Sequence, residues 1–329
     1  MKIFTITKKP RRTQVTGAVL LFVFFARLDA ALAQDSNFLH PIDFIEQRLQ
    51  YEPFEIFRLR DSRFEGDVTK YAILKWPDTT YMRVKWKKAL PGGAGQNNEP
   101  RYEIAAYELQ KFFLVEESYV VPPTMGRSLP LEQYLKVEKD AQPTFKNTDC
   151  VFFVLQYWLE NVTQEAVFDK KRAEKDSAYA RHLGNVNILS YLIKHKDANV
   201  GNFLISKDEK NPRVFAVDNS LAFMSLESNR GVEWQHIRVK RLPANTVARL
   251  RKIAKAQLIE ELQTVAEFEI KDGQLIPAEI TPCLNPKKGV RITDERVQFG
   301  LTRHEIKLVY NRLQRLLARI DKGKIETFR

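Results

Sequence analysis

Cysteine is almost missing from this chain of 329 residues, which contains only Cys150 and Cys283. That excludes a small fold stapled by several disulfides and a metal centre built on a cysteine cluster. The two thiols could form one bridge in an oxidising compartment. Equally, Cys150, which opens the run CVFFVLQYW, could be a small buried apolar residue. There are only five histidines, and they form no Cys/His cluster of metal-binding spacing. The chain has no internal repeat. No apolar run reaches the roughly 20 residues needed to cross a bilayer. The longest, Gly17 to Ala26, is cut short by Arg27 and Asp29. An acidic surplus is absent too, since 53 Lys and Arg face 41 Asp and Glu, for a net charge of +12.

Hydrophobic residues make up 44% of the chain, enough for a substantial core in one two-lobed domain or two small ones. The first 33 residues form a separate instruction. Lys8, Lys9, Arg11 and Arg12 give a cationic start, an apolar stretch follows, and Ala31-Leu32-Ala33 supplies a small-residue cleavage site. This predicts a secretory signal peptide cleaved near Ala33, with an uncleaved membrane anchor as the competing reading. The segment carries six basic residues and one acid, so its loss lowers the net charge from +12 to +7. Export to a periplasm or to the outside argues against a nucleic-acid partner. A basic stretch remains at 238–255, containing Arg238, Lys240, Arg241, Arg249, Arg251, Lys252 and Lys255. It could meet an acidic partner or a membrane surface, or be a solvated face.

In the mature chain strands come first and helices later. Phe54 to Arg60, Tyr71 to Trp76 and Tyr81 to Lys88 carry β-branched and aromatic residues between breaks, which predicts a small antiparallel meander. NEPRYEIAAYELQKFF reads as a helix with Asn98 as cap and Pro100 in its first turn. A buried strand follows at Val151 to Trp158. Amphipathic helices are expected at Asp176–Lys194, Val247–Phe268 and Thr302–Ile320.

The loop HKDANVGNF, residues 195–203, lies between the first of these helices and a predicted hairpin of Phe203-Leu204-Ile205 with Val214-Phe215-Ala216-Val217. Antiparallel pairing would bring Asn202, entering the hairpin, beside Asp218, leaving it. Asp197, Asn202 and Asp218 then converge, a set that suits a divalent cation held by oxygens beside a carboxylate able to orient a hydroxyl. Asp197 to Asn202 is D-x-x-x-x-N, the spacing of a protein-kinase catalytic loop, with His195 where its His-Arg-Asp begins and Asp218 in the place of the Asp of Asp-Phe-Gly. Upstream, YMRVKWKKA alternates so that Arg83, Lys85 and Lys87 share one face. Either Lys85 or Lys87 could serve the phosphates, with Glu103 of the next helix as its ion-pair partner. The competing account is an edge strand carrying cations toward water.

NEPRYEIAAYELQKFF, VVPPTMGR, HKDANVGNFL and AVDNSLAF together resemble the secretory-pathway kinases, the Golgi casein kinase and xylosylkinase family, with their bacterial and phosphatidylinositol-kinase-like relatives. The resemblance covers roughly residues 51 to 225. It implies an α+β, two-lobed protein-kinase-like fold: a small antiparallel β-sheet N-lobe with one helix (34–158) and a mainly helical C-lobe (159–329), binding ATP with Mg2+ or Mn2+ between them. By position it makes Asp197 the catalytic base, Asp218 and Asn202 the metal ligands, Glu103 the helix glutamate and Lys87 the strand lysine, with Lys85 still open. Tyr157 and Trp158 fall where a hinge would flank adenine, or are core aromatics. The acceptor is a protein, glycan or lipid hydroxyl, and a pseudokinase scaffold is the alternative. The chain departs from the family twice. Asp218-Asn219-Ser220 stands where Asp-Asn-Gly is usual, and no glycine-rich phosphate loop exists, because RDSRFEGD offers Gly66 alone. Arg60, Arg63 or backbone amides of that turn would then hold phosphate.

Overall fold

The computed structural model describes residues 37–61, 68–95, 98–223 and 231–329. The expected signal peptide, Arg63 and Gly66 lie outside the described residues.

Helix α1 (Ile42–Gln50) precedes three strands, β1 (Glu55–Asp61), β2 (Thr69–Lys75) and β3 (Tyr81–Lys88). Helix α2 (Pro100–Gln110), β4 (Thr124–Pro130), the single turn α3 (Leu131–Tyr134) and β5 (Cys150–Tyr157) complete the first lobe. Its antiparallel sheet has the order β1-β2-β3-β5-β4. The alternation in β3 works as read: Met82, Val84 and Trp86 are buried, with Trp86 stacked on Phe153 at 3.9 Å and donating its indole N–H to Tyr134. The opposite face therefore presents Lys85 and Lys87 toward α2. Pro100 occupies the first turn of α2, where a missing N–H costs nothing. Asn98 is not its cap. The Asn98 amide donates to the Lys88 carbonyl at 3.0 Å and so ties the end of β3 to the start of the helix.

The second lobe begins with β6 (Val162–Thr163), α4 (Lys170–Lys175) and α5 (Ser177–Ile193), the last capped by Asp176. The hairpin β7 (Phe203–Ser206) and β8 (Val214–Ala216) pairs Phe203 with Ala216. It is followed by β9 (Arg241–Pro243), α6 (Ala244–Leu250) and α7 (Lys255–Leu262). Next come β10 (Ala266–Lys271), β11 (Gln274–Pro277), β12 (Val290–Ile292), β13 (Arg296–Phe299), α8 (Arg303–Asp321) and β14 (Glu326–Phe328). The helix expected over Val247–Phe268 is thus two short helices and the start of a strand. AEFEIK in β10 alternates with period two, and β10 to β13 form a second antiparallel sheet whose order is β11-β10-β13-β12. This sheet lies against the first lobe: Ser128 donates to the Leu275 carbonyl at 2.7 Å, and Phe152 stacks on Phe299 at 4.2 Å.

The lobes are also joined through α2 and α8. Thr302 and Glu305 form a capping box at the start of α8. The Glu305 carboxylate also accepts both guanidinium nitrogens of Arg101, at 2.8 and 3.0 Å, and the Tyr102 hydroxyl. Cys150 is buried and Cys283 partly so, and both thiols are free.

His182 on α5 is buried, and that burial, with Arg213 and Arg181 nearby, pushes its pKa down from 6.5 to about 4. Between those values the unfolded chain binds a proton that the folded chain refuses, so stability falls as pH drops through that window. We expect His182→Gln to flatten the loss of stability between pH 6.5 and 4, an effect of up to roughly 3 kcal/mol, read from urea midpoints across pH. An unchanged slope would show that His182 is not the group responsible.

Candidate active site

Of the residues singled out by sequence, Lys85, Lys87, Glu103, Asp197, Asn202 and Asp218 come together where β3, α2, the 195–202 loop and the end of β8 meet. Lys85 Nζ lies 3.3 Å from Glu103 Oε1 and 3.1 Å from Asp218 Oδ1. Lys87 Nζ lies 3.6 Å from the same Glu103 oxygen and 3.1 Å from the same Asp218 oxygen. Both lysines therefore share both acids. They differ in what else they touch. Lys87, only 6% exposed, donates to the Ser220 hydroxyl at 2.7 Å, whereas Lys85 lines the open cleft.

Burial opposes charge on Lys85, but Asp218 and Glu103 outweigh it and hold the ammonium pKa above its ordinary value. Burial would likewise raise the Asp218 pKa; the two lysines override this and keep the carboxyl ionised well below the usual range. Asp218 adopts a left-handed backbone, with φ +58°. The turn is fixed from both sides, since Asn219 N–H donates to Glu103 Oε2 at 2.8 Å and the His195 ring Nε2–H donates to the Asp218 carbonyl at 3.1 Å. His195 is fully buried, which pushes its pKa below the ordinary histidine value. Ser220, in the position where glycine was expected, has no positive φ. Its hydroxyl accepts from Lys87 and donates to Asp218 Oδ1 at 3.2 Å, so the serine adds a contact and strains nothing.

Asp197 sits at the hairpin mouth. The Asn199 amide donates to Asp197 Oδ1 at 3.1 Å, and the Asn202 amide donates to Oδ2 at 3.1 Å and to the Asp197 carbonyl at 2.6 Å. Asn202 also accepts Val217 N–H through its backbone carbonyl at 2.9 Å. This one residue thereby joins the Asp197 loop to the strand that delivers Asp218.

The adjoining cleft has a volume of about 600 Å3 and is lined by Lys85, Gln156, Tyr157, Trp158, Leu204 and Val217 among others. Trp158 is 41% exposed and meets Tyr71 edge-on at 5.1 Å. Tyr157 is buried, stacks on Phe38 at 5.5 Å and accepts Leu39 N–H on its hydroxyl, which places it in the wall of the cleft. Arg60 is exposed at the end of β1. No group of three or more His, Cys, Asp or Glu able to cage a metal occurs among the described residues. A magnesium-type ion shared with substrate phosphates needs only one or two carboxylates. Asp218 fits that requirement: Oδ1 takes all its hydrogen bonds, and Oδ2 has no partner among the described residues.

Two features of the site were not read from sequence. Ser220 gave a local signal, a hydroxyl inside the apolar run of AVDNSLAF. The two-sided clamp on Asn219 and Asp218 depends on α2, more than a hundred residues away, and left no local trace.

No protein-family model matches this chain, and no curated protein does. Solved structures do. Hydra Fam20 with sugar is similar over 88% of this chain and 92% of its own, at 15% identity and TM-score 0.51. The Golgi casein kinase is similar over 88% of this chain and 77% of its own, and its form with Mn/ADP bound over 88% and 78%, both at 14% identity and TM-score 0.50. The chain has the kinase-like, two-lobed α+β fold of these proteins.

Proposed function

We propose that the cleft binds ATP and that the chain transfers its γ-phosphate to a hydroxyl of a protein, glycan or lipid. The observation that carries this is the meeting of Lys85, Lys87, Glu103 and Asp218 in one ion network, coupled through Asn202 to a carboxylate held by two amides. The Golgi casein kinase, solved with Mn/ADP, shares the fold and supports nucleotide and divalent metal as ligands. Hydra Fam20 was solved with sugar.

Asp197 orients the acceptor hydroxyl and takes its proton as the oxygen attacks. The amides of Asn199 and Asn202 fix its carboxylate in one pose. Lys85, facing the cleft, is the lysine that meets phosphate. Glu103 positions it, and Lys87 acts from below, locking Asp218 and Ser220 in place. Asp218 and the Asn202 side-chain carbonyl would hold Mg2+ or Mn2+, whose chemistry here is to neutralise charge on the phosphate oxygens. Trp158 offers a face to the adenine. The leader at 1–33 directs export, with cleavage near Ala33.

A ligand bound only by the folded chain must raise its melting temperature. ATP with Mg2+ or Mn2+ should do so, by several degrees at millimolar nucleotide. The absence of any shift with either metal favours a pseudokinase scaffold instead. Separating the lysines is a second test. Lys85→Met should raise KM for ATP and lower kcat with modest loss of stability, whereas Lys87→Met should mainly lower the melting temperature, because it strips a buried partner from Asp218 and Ser220. The opposite assignment would follow if Lys87→Met alone weakened nucleotide binding.

A further inference from the structure

A second cavity, of about 870 Å3, opens on the C-lobe where the end of α5, residues 221–223 and one face of α8 meet. Lys194, Arg312, Arg315, Arg319, Lys322 and Lys324 are among the residues that line it, and no carboxylate is found among the described residues of its lining. None of these six forms an ion pair among the described residues. Asp321, the acid at the same helix end, is taken by Arg251. Arg312, Arg315 and Arg319 are three and four residues apart, so they lie on one face of α8 on successive turns.

Arg312 is partly buried. Its Nε donates to the Leu192 carbonyl at 2.6 Å, and its Nη2 is buried with no hydrogen-bond partner among the described residues. Burial pushes its pKa down to about 10, Tyr191 counters this, and Arg315 adds to it. Cations in the last turn of a helix offset its dipole, worth only about 0.3–1 kcal/mol each. That accounts for Arg319 and Lys322. It does not account for Arg312 in mid-helix, or for Lys194 arriving from a different element. The basic stretch 238–255 is a contrast, since much of its charge is used internally. Arg238 lies over Phe168 at 3.8 Å and Trp234 at 4.6 Å, and Arg241 donates to the carbonyls of Ala173 and Glu174.

We infer that this cavity binds a compact polyanion bearing two or more phosphate groups. Guanidinium forks match phosphate oxygens in pairs, and three of them in a row, with lysines at the rim, exceed what a single monoanion could neutralise. The volume suits a small ligand, and Tyr191 and Phe223 give it an apolar wall. The assignment does not depend on the kinase reading, but it bears on it. Lys194 immediately precedes His195, Phe223 N–H donates to the Ile193 carbonyl at 2.5 Å, and Lys196 N–H donates to the Leu221 carbonyl at 2.7 Å. A ligand here therefore touches the segments that carry both Asp197 and Asp218.

The test is calorimetry on the purified chain with sodium tripolyphosphate and inositol hexakisphosphate, alongside flotation with phosphatidylcholine vesicles containing a phosphatidylinositol bisphosphate or an equal charge of phosphatidylserine. Both soluble probes should bind. The double variant Arg315→Glu/Arg319→Glu, changed at exposed or half-exposed positions, should bind at least tenfold more weakly with its ligand-free melting temperature unchanged. Lys85→Met, which weakens phosphate binding in the nucleotide cleft and does not line this cavity, should bind them normally, which separates this site from the nucleotide cleft. Vesicle binding that needs the bisphosphate headgroup assigns the phosphate to a lipid, and binding of the soluble probes alone assigns it to a free polyphosphate. The inference is overturned if neither soluble probe binds, if the double variant binds as wild type does, or if polyglutamate binds in their place.

Discussion

Asp197→Asn should lower phosphate transfer by roughly a thousandfold while leaving the melting-temperature shift with ATP and Mg2+ or Mn2+ intact. The substitution keeps the size of the side chain and one acceptor oxygen for the amides of Asn199 and Asn202, and it removes the charge that, in the proposed mechanism, accepts the hydroxyl proton. The loss should belong to kcat, because in the proposed site it is Lys85 and Asp218, joined to the Asp197 loop through Asn202, that hold the nucleotide. Turnover close to wild type would rule out Asp197 as the base. Loss of nucleotide binding along with turnover would show that the change had disturbed the hairpin mouth and not the chemistry alone.

Glu103→Ala should cost about 3–5 kcal/mol, the usual result of leaving buried charge without its counter-charge. Glu103 is 2% exposed and is one of two acids facing Lys85 and Lys87, so its removal leaves two ammoniums against Asp218 alone. It also takes the acceptor away from Asn219 N–H. Glu103→Gln separates the two effects. The amide oxygen can still accept from Asn219, so only the charge is lost, and the cost should fall between wild type and alanine. Denaturant midpoints give the comparison. Equal stability of Glu103→Ala and wild type would mean that the lysines reach solvent and that the network is not buried in the sense proposed.

The parts of the site that sequence revealed are those governed by short-range geometry. Alternation in YMRVKWKK put two lysines on one face, and that same period of two is why it could not choose between them: residues 85 and 87 are equivalent until α2 and Ser220 are in place. The D-x-x-x-x-N loop and the pairing of Asn202 near Asp218 follow from hairpin register, which is also local. The Val247–Phe268 segment misled because its apolar spacing stays helical through Leu262 and then runs into Ala266 and Phe268, which belong to a strand whose partner, Val297, lies far along the chain. The cationic cavity was equally illegible. Lys194 and Arg312 are separated by 118 positions, and nothing near either one announces the other.

The bond from Arg101 and Tyr102 to Glu305 fastens the N-terminal end of α2 to the start of α8. Gly289 is what lets the guanidinium fit, since a Cβ there would lie 2.3 Å from it. Swinging this helix away from the sheet, and Glu103 with it, would first have to break that bond. If the chain works as proposed, a throttle on it is more economically placed at access to the cleft than at displacement of this helix.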